Sequence, residues 1–133
     1  RDRVPVVATR YVKRDLPELL EQYSPSVVAV EQVFHAVNSR SALQLGHARG
    51  VILLAAAQLG IPLVEYSPLE IKKSVSGYGR ADKEQIQTMV RILLNLKENP
   101  QPHDASDALA VALCHVFNES PLQRNRGRSG CSP

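Results

Sequence analysis

The stretch VVAVEQVF, residues 27–34, places four small apolar residues directly before a glutamate. Such a run is typical of a strand that is buried on both faces of a sheet. Helical patterns on both sides of it predict an α/β fold with parallel strands. Glu31 then stands at the carboxyl end of a central strand, the edge where open α/β sheets place ligands and chemistry. From the residues alone, Glu31 can also be read as the first solvated residue after the strand.

The segments on either side of this strand have helical patterns. Upstream, LPELLEQY predicts a short helix that starts at Leu16 and ends before Pro25. Downstream, NSRSALQLGHARGVILLAAAQLG predicts a long helix with Asn38 or Ser39 as its cap and Gly60 as its stop. The opening residues RDRVPVVATRYVKRD contain a short β-prone piece and do not commit to one structure.

The second half of the chain predicts one more strand and three helices. IPLVEY predicts a strand entered through Pro62, and SPLEIKKSVS a short helix before the turn GYGRA. The segment DKEQIQTMVRILLNL predicts an amphipathic helix with an apolar face of Ile86, Met89, Val90, Leu93 and Leu94. A last helix, which runs to about Asn118, has a predicted apolar face of Leu109, Ala112, Leu113, Val116 and Phe117.

The last helix begins with an acidic pair, Asp104 and Asp107. Asp104 can cap the free amides, and Asp107 lies favourably near the positive end of the helix dipole. Side chains three residues apart also share a helix face, so both carboxylates could hold one divalent cation. If this helix packs beside the central strand, Glu31 joins them, and three close carboxylates repel one another unless a cation is bound. Both interpretations remain open at this point.

The composition fits one intracellular domain. The chain has 133 residues, of which 44% are hydrophobic and 22% charged. Its longest apolar run, from Val51 to Ala57, is too short to span a bilayer, and no secretory pattern opens the chain. We therefore expect a cytoplasmic protein with no membrane attachment. The net charge of +3 permits an anionic partner. We expect a domain over residues 1–118 and a basic, disordered tail over residues 119–133.

A resemblance to a known family rests on three stretches: AVEQVFHAVNSRSALQLGHARGVILLAA, PLVEYSPLEIKKSVSGYGRADKEQIQTMVRILL and PHDASDALAVALCH. With these stretches in this order, the chain resembles the RuvC family of bacterial Holliday-junction resolvases. The resemblance covers about residues 16–118. The resemblance implies a ribonuclease H-like fold, in which helices flank a mixed sheet. It also implies an endonuclease that makes paired nicks in four-way DNA junctions during recombination and repair, with two magnesium or manganese ions in each site.

The resemblance assigns roles to individual residues. It makes Glu31, Asp104 and Asp107 the catalytic metal ligands. It makes four residues DNA-binding: Phe34, Lys72, Lys83 and Arg80. A core phenylalanine and solvated surface lysines are the alternative interpretations of Phe34 and of the lysines.

The resemblance also implies partners. A stripe of small residues, Ala42, Gly46 and Gly50, matches the helix with which the family forms its homodimer. The branch-migration complex RuvA–RuvB is the expected protein partner.

The sequence departs from the family at its beginning. The family carries a first catalytic aspartate in an apolar–Asp–Pro–Gly context on its first strand. Asp2 and Asp15 are the only aspartates before Glu31, and neither follows a buried apolar strand. We therefore expect a chain that lacks the N-terminal hairpin and the first catalytic aspartate. The alternatives to a junction-resolving nuclease are a catalytically incomplete junction-binding protein or gene fragment, and a metal-free α/β interaction domain.

Overall fold

The computed structural model of this chain describes residues 6–7, 12–32 and 38–119. Helices and strands alternate in the first half, and helices follow one another in the second. The elements are β1 (Val6–Val7), α1 (Val12–Tyr23), β2 (Val28–Glu31), α2 (Ser39–Gln58), β3 (Leu63–Tyr66), α3 (Pro68–Ser76), α4 (Lys83–Leu93) and α5 (His103–Asn118). None of the described helices has both the length and the hydrophobicity that a membrane span requires. The predicted tail lies outside the described residues from residue 120 onward.

The described strands form one parallel sheet in the order β1-β2-β3. The strand that the apolar run predicted is therefore central. Its first residue, Val28, lies opposite Val6 on one side and Leu63 on the other, and Glu31 lies opposite Tyr66. All these pairings are parallel, so any antiparallel strand of the mixed sheet that the resemblance implies is outside the described residues.

Alternate residues of β2 face two separate cores, because side chains of a strand point to opposite faces in turn. Val28 and Val30 pack with α1 and α2, in a cluster of Leu16, Leu20, Val28, Val30, Ile52, Ala55 and Ala56. Ala29 packs with α3, α4 and α5, in a cluster of Ala29, Ile71, Val75, Ala81, Ile86, Val90, Ala110, Val111 and Cys114. Each fully buried valine or leucine stabilises the fold by about 1.5–3 kcal/mol. Helices thus cover both faces of the sheet, as predicted for a parallel strand that is buried on both faces.

Matching capping boxes start α3 and α4. The Ser67 side chain accepts a hydrogen bond from the Glu70 amide at 3.1 Å, and the Glu70 carboxylate accepts one from the Ser67 amide at 2.7 Å. Asp82 and Gln85 make the same pair of bonds at 2.8 and 2.9 Å. These bonds satisfy amides that have no partner within the helix. They therefore fix where the two lysine-bearing helices begin.

The opening segment differs from the prediction in its boundaries. The first helix begins at Val12 rather than Leu16, so that Pro17 lies inside it. Proline is expected in a first turn, because it lacks the amide that an interior position uses. The predicted start at Leu16 is four residues too late. The uncommitted opening also supplies β1, whose two residues pair with β2.

The predicted apolar faces of the last two helices are partly wrong. On α4, Ile86 and Val90 are buried as predicted and Met89 is partly buried, but Leu93 and Leu94 are 40% and 38% exposed. The helix ends at Leu93, beyond the edge of the core.

On α5, the predicted face is rotated relative to the buried one. Val116 is 50% exposed and Leu109 and Leu113 lie at the margin of the core, although Ala112 is buried as predicted. The side chains at the centre are the smaller ones of Ala110, Val111 and Cys114. Small residues let α5 pack closely against its neighbours, and a pattern based on the largest apolar residues overlooks them.

Candidate metal and nucleic-acid site

Glu31 faces the side of the sheet that carries α5. It lies two residues after Ala29, so its side chain points to the same face of β2. A cleft of about 560 Å³ opens there between the strand end and the helices. The charged residues that line it are Glu31, Lys72, Asp82, Lys83 and Asp107. The strand end, α3, α4 and α5 therefore each supply a charged group to one cleft.

Burial and a neighbouring carboxylate raise the pKa of Glu31 above its usual value. Desolvation is the larger cause, and the negative charge of Asp107 is the second. Lys72 and Lys83 act in the opposite direction, since their positive charges lower the same pKa. The cleft thus places two carboxylates close enough to repel each other and two ammonium groups close enough to offset part of that repulsion.

Polar contacts hold α5 against the sheet and so set the position of Asp107. The Tyr66 hydroxyl lies 2.6 Å from His115 Nδ1. Burial is the main reason that the pKa of Tyr66 rises to about 12, so the hydroxyl keeps its proton at neutral pH and can donate it to Nδ1. On the α3 side, the Cys114 thiol donates to the Ser74 hydroxyl at 3.3 Å. Tyr66 lies opposite Glu31 in the sheet. Its contact with His115 therefore connects the strand beside Glu31 to α5, the helix that carries Asp107.

Asp104 is half-buried and does not line the cleft that contains Asp107. Among residues 6–7, 12–32 and 38–119, no three histidine, cysteine, aspartate or glutamate side chains form a group that could hold a metal ion. The capping interpretation of Asp104 is wrong, because Pro102 is the N-cap of α5 and makes no side-chain capping bond. The structure therefore brings together Glu31 and Asp107, and the role of Asp104 stays a prediction.

The predicted DNA-binding residues divide into three groups. Lys72 and Lys83 line the cleft beside the two carboxylates. Arg80 is exposed in the turn between α3 and α4 and does not line the cleft. Phe34 lies outside the described residues. Of the predicted DNA-binding residues that the structure describes, Lys72 and Lys83 are thus the two that line the cleft with the carboxylates.

Two features of the site escaped the sequence reasoning. One is the contact between Tyr66 and His115, although the strand period of LVEY places Tyr66 on the same face as Val64. The other is a second cleft of about 420 Å³ beside Tyr78, which shares Ala81 and Asp82 with the first. In the sequence, the turn GYGRA marks it by placing Tyr78 between two glycines.

Comparison with known proteins gives one consistent family. The family model described as "Crossover junction endodeoxyribonuclease RuvC" matches residues 6–115. A protein of that name from Moorella thermoacetica is 53% identical over 113 residues, which are 85% of this chain and 68% of the relative. Another from Desulfitobacterium hafniense is 50% identical over the same shares of both chains.

Two solved structures from Thermus thermophilus are also similar to this chain. RuvC itself matches with a TM-score of 0.71 and 41% identity over 77% of this chain. RuvC in complex with a Holliday junction substrate matches with a TM-score of 0.75 and 38% identity over 82% of this chain. This chain spans 61% and 64% of the lengths of those two proteins, which is less than two thirds. The likeness confirms the predicted ribonuclease H-like fold class.

Proposed function

Because this chain belongs to the RuvC family of crossover junction endodeoxyribonucleases, we propose that it nicks four-way DNA junctions with the help of a divalent metal ion. One observation carries the proposal: Glu31 and Asp107 share a cleft with Lys72 and Lys83. Carboxylates hold a hard cation, and ammonium groups bind the phosphates of the strand to be cut. The Thermus thermophilus relative that was solved with a Holliday junction supports the choice of substrate. We expect the reaction to take place in the cytoplasm.

The donor set of the cleft fits a magnesium or manganese ion. Magnesium usually keeps several waters and binds one or two carboxylates together with the phosphates of its substrate. Glu31 and Asp107 would be those carboxylates, and a cation would relieve the repulsion that raises the pKa of Glu31. Such an ion, when bound, acts as a Lewis acid on a phosphate oxygen. A two-ion site needs further ligands, and we propose Asp104, one turn before Asp107 on α5, as one of them.

The two lysines position the scissile phosphate. Lys72 projects from α3 and Lys83 begins α4, so each of these two helices brings one ammonium group to the cleft. Their charges attract the DNA backbone into the cleft. They also stabilise the negative charge that develops on the phosphate during hydrolysis. Arg80, exposed in the connecting turn, would extend this contact along the strand.

The double substitution Lys72→Ala and Lys83→Ala is expected to weaken junction binding about tenfold at moderate salt. Removing two phosphate contacts should also lower the slope of log affinity against log salt concentration by about 2. Fluorescence anisotropy across a salt series, with EDTA present to prevent cutting, measures both quantities. Lys97→Ala, which removes an exposed lysine from the loop after α4, is the matched control. An unchanged slope in the double variant would mean that the two lysines do not contact the DNA phosphates.

We further propose that the chain acts as a homodimer through the outer face of α2. Two nicks in opposed strands require two sites related by a two-fold axis. Gly46 and Gly50 are exposed, and a Cβ at either would meet nothing within 4 Å. Leu43 and Leu54 on the same helix are 61% and 59% exposed. Small and apolar exposed residues on one helix favour close packing against a second copy.

Gly46→Glu is expected to convert the dimer to a monomer without unfolding it. The glutamate enters open space within one chain, but it would place a charge in the close contact between two copies. Sedimentation equilibrium gives the mass, and circular dichroism checks the fold. Ile92→Glu serves as a control, because Ile92 is a 56% exposed apolar residue on a different helix. A Gly46→Glu variant that still sediments as a dimer would place the interface elsewhere.

Binding to the junction can be tested separately from cutting. In EDTA, the chain should bind a synthetic four-way junction in the presence of excess linear duplex, since the junction offers both sites of the dimer a strand. Equal affinity for the two DNAs would contradict the proposed substrate. Selective binding without nicking after magnesium is added would favour a non-catalytic junction-binding protein. We also expect RuvA–RuvB to act on the same junction as this chain.

A further inference from the structure

The second cleft lies beside the proposed catalytic cleft and has no role in the reaction described above. Its volume is about 420 Å³, and the two clefts share the lining residues Ala81 and Asp82. Tyr78, which is 53% exposed, lines the second cleft but not the first. A DNA strand whose phosphate lies between Lys72 and Lys83 would therefore pass directly beside this second cleft.

The turn that carries Tyr78 is held by several local contacts. Gly77 ends α3 in the left-handed region at φ 75°, and its amide donates to the Lys73 carbonyl at 2.8 Å. The Tyr78 amide donates to the Ser76 hydroxyl at 3.1 Å. A Cβ on Gly79 would lie 2.7 Å from Leu69 Cδ1, so the turn packs directly on α3. The backbone of Tyr78 is thus fixed while its ring stays accessible.

The two clefts differ in charge. The first combines two lysines with the carboxylates of Glu31, Asp82 and Asp107, whereas the second is lined by Asp82 and Glu84 and by no described lysine or arginine. Carboxylates with no ammonium group beside them repel phosphate, but they accept hydrogen bonds from the amino groups of nucleobases. The second cleft therefore suits a base and not the backbone that carries it.

The capping box of α4 leaves hydrogen-bonding atoms available at this cleft. Asp82 uses Oδ1 to accept from the Gln85 amide, and Gln85 uses Oε1 to accept from the Asp82 amide. Neither Asp82 Oδ2 nor the side-chain nitrogen of Gln85 is used in these bonds, so among the described residues they remain available as an acceptor and a donor. The edge of a base presents donors and acceptors in the same way. An aromatic ring nearby supplies a surface for stacking.

We propose that the second cleft receives the nucleobase of a nucleotide next to the scissile phosphate. Tyr78 stacks on the base, and Asp82 and Gln85 form hydrogen bonds with its edge. This contact would contribute to the choice of sequence at the cut. The inference rests on the proposed function, because it requires that a DNA strand lies in the first cleft.

A double-mutant cycle between protein and DNA tests the proposal. Four-way junctions carry one abasic nucleotide, which is moved through the crossover strand position by position, and affinity is measured in EDTA. With the unaltered chain, one position should lower the affinity about tenfold, the scale of one base stacked on an aromatic ring. Tyr78→Ala should bind the intact junction with an affinity lowered by the same factor, and the abasic site at that position should not lower its affinity further. Tyr78→Phe keeps the ring and should restore the tighter binding.

Two more variants separate this contact from general effects. Tyr23→Ala removes a 59% exposed tyrosine from α1, on the other side of the sheet, and should bind every junction like the unaltered chain. Gln85→Glu preserves the capping box but replaces the amide donor by an acceptor, so it should change which base is preferred at the sensitive position. The inference is overturned if Tyr78→Ala responds to every abasic position as the unaltered chain does. An unaltered chain that fails to bind any junction would instead overturn the proposed function itself.

Discussion

Asp107→Asn is expected to lower the rate of junction nicking by at least about a hundredfold while leaving the fold intact. The amide keeps the shape of the side chain but removes the negative charge that would hold a cation beside Glu31. Losing one preorganised electrostatic group from an active site typically costs this much or more. The measurement is the initial rate of nicking on a labelled four-way junction in magnesium, with circular dichroism as the check on folding.

The control for Asp107→Asn is Glu98→Gln, which removes one negative charge from an exposed loop residue. It should nick like the unaltered chain. If Asp107 served only the dipole of α5, its substitution would weaken the helix by a few tenths of a kcal/mol and leave the nicking rate unchanged. That result would favour the metal-free interaction domain.

Glu31→Gln is expected to abolish nicking and, in the absence of metal, to stabilise the protein at neutral pH. The raised pKa means that folded Glu31 holds a proton more tightly than unfolded Glu31. The contribution of Glu31 to the free energy of unfolding is therefore fully present below the unfolded pKa and is lost as pH rises through the folded pKa. Glutamine does not titrate, so it removes this loss. Stabilising substitutions in natural proteins commonly add about 0.5–2 kcal/mol, and we expect a gain within this range.

The stability of Glu31→Gln has a second signature in its pH dependence. In EDTA, the melting temperature of the variant should be higher than that of the unaltered chain at neutral pH, and the two melting temperatures should converge in acid. Magnesium should then raise the melting temperature of the unaltered chain more than that of the variant, since a ligand stabilises the state that binds it. Glu21→Gln, on the exposed side of α1, is the control and should have little effect. A Glu31→Gln protein less stable than the unaltered chain at neutral pH would mean that the carboxylate has a structural partner.

The position of Glu31 could be predicted because it depends on local rules alone. A run of small apolar residues is typical of a central strand, and period two then fixes which face the next residue takes. The position of Asp107 depends on how α5 packs, and the sequence pattern predicted the buried face of that helix only in part. Its core residues Ala110, Val111 and Cys114 are smaller than the leucines beside them. Shape complementarity between helices determines how α5 is rotated about its axis, and the periodicity of apolar residues does not predict that rotation.

The basic side of the site could be predicted in part. Lys72 and Lys83 lie on separate helices, and each enters the cleft because a capping box sets where its helix starts. The box motifs are readable in the sequence, but the angle between the helices is not. The same limit applies to the second cleft, which forms between a turn and the first turns of α4. Glu31 and Asp107 are 76 positions apart in the chain, and the residues alone joined them only on the condition that α5 packs beside β2. The resemblance to a family removed that condition.

The measurement that tests the proposed site most directly is a nicking experiment with the purified chain. A synthetic four-way junction, labelled on each strand in turn, is incubated with and without magnesium beside a linear duplex. Symmetric nicks in two opposed strands of the junction, dependent on magnesium and absent from the duplex, are the predicted result. A junction that remains intact in magnesium while it is bound by the chain would contradict the proposal that the cleft of Glu31 and Asp107 is a working nuclease site.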